Sequence, residues 1–77
     1  MATWTMEQAK RDFRIGYLEG FHIERAPMED GWQVHLHGGS ARGPLVDARK
    51  KTPRLFKSLD SAVLAVEQIG FKVESLG

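Results

Sequence analysis

Two stretches with a period of two constrain this chain more than any other feature. Phe21, Ile23 and Arg25 alternate with His22, Glu24 and Ala26, and Trp32, Val34 and Leu36 alternate with Gln33, His35 and His37. Successive side chains of a strand point to opposite faces, so each stretch reads as a half-buried β-strand. Between them lie Pro27 and Asp30-Gly31, which supply turn conformations at low steric cost. The pair is therefore a β-hairpin. If Ala26 faces Gly31, Phe21 pairs with Leu36, Ile23 with Val34 and Arg25 with Trp32. Every large apolar residue then falls on one face, and His22, Glu24, Gln33, His35 and His37 fall on the other. A slip of one residue would turn the whole apolar set to solvent.

Helical patterns stand on both sides of the hairpin. Thr5 followed by Gln8 is a capping box. Met6, Ala9, Phe13 and Tyr17 then form one apolar stripe, widened by Ile15 and Leu18, and Gly20 is positioned to end the helix. A first helix is expected from about Met6 to Glu19, with Gly16 inside it as a site of close packing or early fraying. Further on, Ser58 caps a second helix, and Asp60 in its first turn favours the helix dipole. Leu59, Ala62, Val63, Val66 and Ile69 form its expected buried stripe. Gly70 followed by Phe71 is a Schellman-type ending, with a positive φ expected at Gly70.

Between and after these elements the signals are shorter. "GGSARG" (38–43) reads as a flexible loop, Leu45 to Ala48 as a third strand, and Arg54 to Lys57 as a short fourth strand or extended arm. "FKVESL" (71–76) reads as a last strand. The order is α-β-β-β-(β)-α-β. The expected fold is α+β: a two-layer sandwich with an antiparallel sheet of three to four strands and both helices on its apolar face. With 77 residues this is one small domain with a modest core.

Composition excludes several classes. There is no cysteine, hence no disulfide framework and no thiolate zinc site. The longest apolar run, residues 62–66, is far too short to span a membrane. The opening residues meet acids early and lack the apolar core of a secretory signal, so a cytoplasmic location is expected. No serine sits in a nucleophile elbow. "GGSARG" lacks the Gly-Lys-Ser/Thr ending of a phosphate loop, and the carboxylates form no acid/base pair by spacing. No catalytic residue, cofactor or enzymatic activity is expected.

Two constellations remain. His35 and His37 lie two apart on one strand, and the register puts His22 across from His35. Three imidazoles on one face have the chemistry of a zinc site, but histidine also suits an exposed polar sheet face, and the reading assigns no metal. Charge is the stronger signal. The net charge is only +1, yet residues 42–57 carry six Lys and Arg side chains against one Asp, while the segments on either side are acidic. Arg42, Arg49, Lys50, Lys51, Arg54 and Lys57 are therefore the expected phosphate contacts of a nucleic-acid surface, with Gln33, His35 and His37 as possible polar additions from the open sheet face.

Gly31-Trp32, Leu45-Val46-Asp47-Ala48-Arg49, Arg54-Leu55-Phe56-Lys57 and Leu59-Asp60-Ser61-Ala62-Val63, leading to Ile69-Gly70-Phe71, resemble a group of small bacterial plasmid and integrative-element proteins. These are the replication-associated (RepB-like) and partition-associated (ParC-like) accessory proteins, and the resemblance covers most of residues 25–73. It implies an accessory role in replication or partition, with DNA or a DNA-bound protein as target. The reading is thus a non-enzymatic DNA-associated accessory protein. Its rival is an interaction module that docks a protein partner, or a second copy of itself, through the open sheet face or an edge.

Overall fold

The computed structural model describes residues 2–73. Its elements are α1 (Met6–Arg14), β1 (Gly20–Arg25), β2 (Trp32–Gly38), β3 (Ala41–Pro44) and α2 (Leu59–Ile69), and the strands form an antiparallel sheet in the order β1-β2-β3. The α+β class is as expected. The hairpin register is also the expected one, with Phe21 opposite Leu36, Ile23 opposite Val34 and Arg25 opposite Trp32. Val34 and Leu36 are fully buried, together with Leu45 and Val66. Each such side chain contributes about 1.5–3 kcal/mol through burial.

α1 begins with the capping box: the Gln8 amide donates to Thr5 Oγ1 at 3.2 Å, and the Thr5 amide donates to Gln8 Oε1 at 3.0 Å. It is shorter than its apolar stripe suggests. The chain leaves the helix at Ile15, and Gly16, not Gly20, takes the left-handed conformation, with φ +83°. The amides of Tyr17 and Leu18 both fold back onto the Asp12 carbonyl, at 2.8 and 3.2 Å. Ile15 and Tyr17 therefore lie outside the helix and are exposed. Gly20 opens β1 instead, where a side chain would strike the His37 ring.

The third strand lies earlier than expected. Gly39 and Ser40 make a tight reversal, with φ +56° at Gly39 and its amide donating to Glu19 Oε1 at 2.6 Å. Ala41 then faces Gly38 at once, and pairing runs through His37–Arg42, Leu36–Gly43 and His35–Pro44. "GGSARG" is thus a turn and a strand, not a flexible loop. Beyond Pro44, Leu45 and Val46 make single bridges only. The outer edge of β3 is covered by the N-terminal segment, which runs parallel to it. Ala2 and Trp4 donate to the Arg42 and Pro44 carbonyls, and Val46 donates to Trp4. A side chain at Gly43 would collide with the Ala2 carbonyl. Trp4 is buried, and its indole N–H donates to Asp12 Oδ2 at 2.9 Å.

The edge of the sheet continues past a break. Leu45 donates to the Val34 carbonyl at 2.8 Å. The chain then departs, returns, and exchanges two hydrogen bonds between Phe56 and Trp32, each 2.9 Å. The expected fourth strand, Arg54 to Lys57, is reduced to this Trp32–Phe56 bridge.

α2 is capped by Ser58, whose Oγ accepts from the Ser61 amide at 3.1 Å. Its buried face is Ala62, Ala65, Val66 and Ile69. Val63 is only half-buried and Leu59 is exposed, so Ala65 stands where Val63 was expected. α2 lies on β1 and β2, whereas α1 packs on α2 and not on the strands, contrary to the expectation that both helices cover the sheet. Gly70 has the expected positive φ, +134°. Phe71 then stacks edge-on to Phe13, centroids 4.7 Å apart, and leans on Phe21 at 5.1 Å. Residues 71–73 are not in a strand, and the remainder of the expected last strand lies outside the described residues.

Candidate functional site

The break in the sheet edge is the basic stretch. Val46 bridges Pro53 at its neck, and residues 47–52 project from the edge. One carboxylate shapes the projection. Asp47 Oδ1 accepts from the amides of Arg49 at 2.8 Å and Lys50 at 3.0 Å. The Asp47 carbonyl accepts from Lys51, and the Asp47 amide donates to the Thr52 carbonyl, both at 2.9 Å. These loop amides of Lys50 and Arg49 hold the Asp47 carboxyl below its ordinary pKa. Lys51 has φ +60°, the one positive φ outside glycine among the described residues. Arg49, Lys50 and Lys51 are exposed, and among the described residues no ion pair engages them.

The six expected phosphate contacts do not form a single patch. Arg49, Lys50 and Lys51 share the loop tip. Arg54 is half-buried, with its guanidinium carbon 5.0 Å from the Phe56 ring centroid. Lys57 is exposed just ahead of the α2 cap. Arg42 pairs with His37 on β3 and so belongs to the histidine face. Arg25 was absent from the expected set, yet it lies 5.3 Å over Trp32. Arg25 and Arg54 thus flank the bridged pair Trp32 and Phe56. The cross-strand pairing of Arg25 with Trp32 was the signal that pointed to the first of these contacts. An open groove of about 630 Å³ separates the β1–β2 turn from the loop, lined among others by Met28, Gln33, Lys50, Arg54 and Leu55.

On the polar sheet face, His22 and His35 stack with centroids 5.0 Å apart and ring planes 10° from parallel. Glu24 reaches both: its Oε1 lies 2.9 Å from His35 Nε2 and its Oε2 lies 3.4 Å from His22 Nε2. Gln33 Oε1 is 3.1 Å from the same His35 nitrogen. Burial pushes the His35 pKa down. Glu24 opposes that shift, and His22 adds to it. His37 does not join this group, because its ring lies over Gly20. The structure therefore joins two of the three histidines and adds Glu24.

No protein-family model, curated protein or solved structure matches the chain. Among the described residues no helix is long and apolar enough to cross a membrane.

Proposed function

We propose that this domain is a non-enzymatic, DNA-associated accessory module, acting in the cytoplasm in the replication or partition of a mobile element, with the projecting loop as its phosphate contact. The observation that carries this reading is the orientation of Asp47. The only acid in residues 42–57 is turned onto the loop's own amides. Arg49, Lys50 and Lys51 are left exposed at the tip of a loop pinned at its neck, a form that reaches phosphates without disturbing the core. The resemblance to RepB-like and ParC-like accessory proteins supports the same direction.

The test is a fluorescence-anisotropy titration of duplex DNA at several salt concentrations. Binding that weakens as salt rises supports the reading, because neutralised phosphates release condensed cations. Absence of salt-dependent binding moves the assignment to a protein-interaction module, in which the exposed Met28 and Leu55 beside the groove are the apolar contacts for a partner or a second copy.

A further inference from the structure

We propose that His22, Glu24, His35 and Gln33 form a binding site for a divalent transition-metal cation, zinc in the first place, on the exposed face of the β1–β2 hairpin. The site is a block of two adjacent cross-strand pairs. His22 faces His35 and Glu24 faces Gln33, and residues two apart on a strand share a face, so all four side chains rise from one side of the sheet. The donor atoms of His22, Glu24 and His35 lie within 4.8 Å of one another.

The distances suit a metal. Zinc binds imidazole nitrogen at about 2.0–2.1 Å and carboxylate oxygen at about 2.0–2.2 Å, so neighbouring donors of a tetrahedral site stand about 3.3 Å apart. Glu24 stands 2.9 Å from His35 Nε2 and 3.4 Å from His22 Nε2, and the Gln33 carbonyl oxygen stands 3.1 Å from His35 Nε2. These spacings also serve hydrogen bonds, but the proton count is short. A neutral His35 has at most one proton on Nε2, and two oxygens, from Glu24 and Gln33, aim at it. Turning the exposed His22 ring out of its stack on His35 points both imidazole nitrogens at one centre, where a cation answers these lone pairs together. His22 and Glu24 are about half exposed, so rotation about their side-chain bonds closes the set without moving the strands.

The donor set selects the metal class. Two imidazoles with a carboxylate suit zinc, nickel or copper, while magnesium and calcium take all-oxygen sites. Gln33 offers its carbonyl to the fourth position, which otherwise stays open to water or to a donor from a partner. The site borders the basic loop through Gln33, which also lines the groove beside Lys50 and Arg54.

The test uses untagged protein, stripped with chelator and titrated with zinc chloride by calorimetry. One zinc per chain is expected. His22→Gln and Glu24→Gln should each weaken binding at least about tenfold, since even outer partners of a metal site act on that scale. His37→Gln, on the same face but over Gly20, should leave affinity unchanged. In proton NMR, zinc should shift the ring signals of His22 and His35 together and spare those of His37. Metal-free thermal melts of the exposed variants separate lost binding from lost folding. No saturable binding, parental affinity in His22→Gln and Glu24→Gln, or an equal loss in His37→Gln would overturn the assignment.

Discussion

Asp47 holds the backbone N–H of Arg49 at 2.8 Å, so the lone acid of the basic stretch shapes the loop whose cations surround it. Asparagine in its place keeps an oxygen for the amides and removes the negative charge. Asp47→Asn should therefore leave the loop intact and tighten duplex DNA binding at low salt by about twofold to fivefold, the scale of one exposed charge. Asp47→Ala should instead speed amide hydrogen exchange at Arg49 and Lys50. Anisotropy and exchange measurements on the two variants check both outcomes.

The same contact fixes a pH dependence. The loop amides lower the folded pKa of Asp47 beneath its ordinary value of 3.8. A group with a depressed folded pKa stabilises above its unfolded pKa and loses that contribution as pH falls through the folded value. The loop should thus be fully formed at neutral pH and loosen only in acid below the ordinary Asp range. The amide shifts of Arg49 and Lys50, followed by NMR during acid titration, should move together with a midpoint under 3.8.

Lys50 and Lys51 sit at the exposed tip, so replacing both with Ala should act on binding and spare the fold. Each phosphate contact contributes about 0.9 to the slope of log affinity against log salt. Arg49, Lys50 and Lys51 alone predict a slope near about −2.7, and the double variant should lower its magnitude by about 1.8. Each substitution should change stability by less than about 0.5 kcal/mol. An unchanged slope in the double variant would remove the loop from the interface.

Val34 and Gln33 are neighbours on opposite faces of β2. Val34→Ala should cost about 1–3 kcal/mol through lost burial and a cavity, and Gln33→Ala less than about 0.5 kcal/mol. Urea denaturation of the two variants measures the difference.

Gly70 combines a φ of +134° with a Phe13 ring that a Cβ would strike. Gly70→Ala should cost about 1–3 kcal/mol by backbone strain and by displacing Phe13 from Phe71. Loss of the upfield ring-current shifts at that pair should accompany the lowered midpoint.

The hairpin was legible because one face is buried: a slip of one residue would part Phe21 and Ile23 from Val34 and Leu36, and the turn closing at Ala26 and Gly31 fixes the register that remains. The end of α1 was not, since Gly16 and Gly20 both offer the required conformation and the choice falls to backbone bonds at the Asp12 carbonyl. β3 escaped notice because Ala41, Arg42 and Gly43 show no alternation of size. The missing side chain of Gly43 makes room for the Ala2 carbonyl of the N-terminal segment, whose Trp4 meets Leu45 from far away in the sequence. In the candidate sites, charge density revealed the basic loop, and register revealed the facing of His22 and His35. The shared face of Glu24 and the position of His37 opposite Gly20 follow from the same register, whereas the ring stacking and the reach of Glu24 to both imidazoles depend on side-chain rotation, which no periodicity encodes.

The pinned neck of the projecting loop gives this small fold room to change. Leu45 and Phe56 anchor the chain to β2 on either side, and Val46 meets Pro53 between them. Residues 47–52 can therefore be rewritten or lengthened while the frame keeps its hydrogen bonds. Doubling a flexible loop costs only about 0.6 kcal/mol. The position is a natural grafting port: a different peptide inserted there would inherit a rigid base, and related chains are free to diverge in what the tip recognises without relearning how to fold.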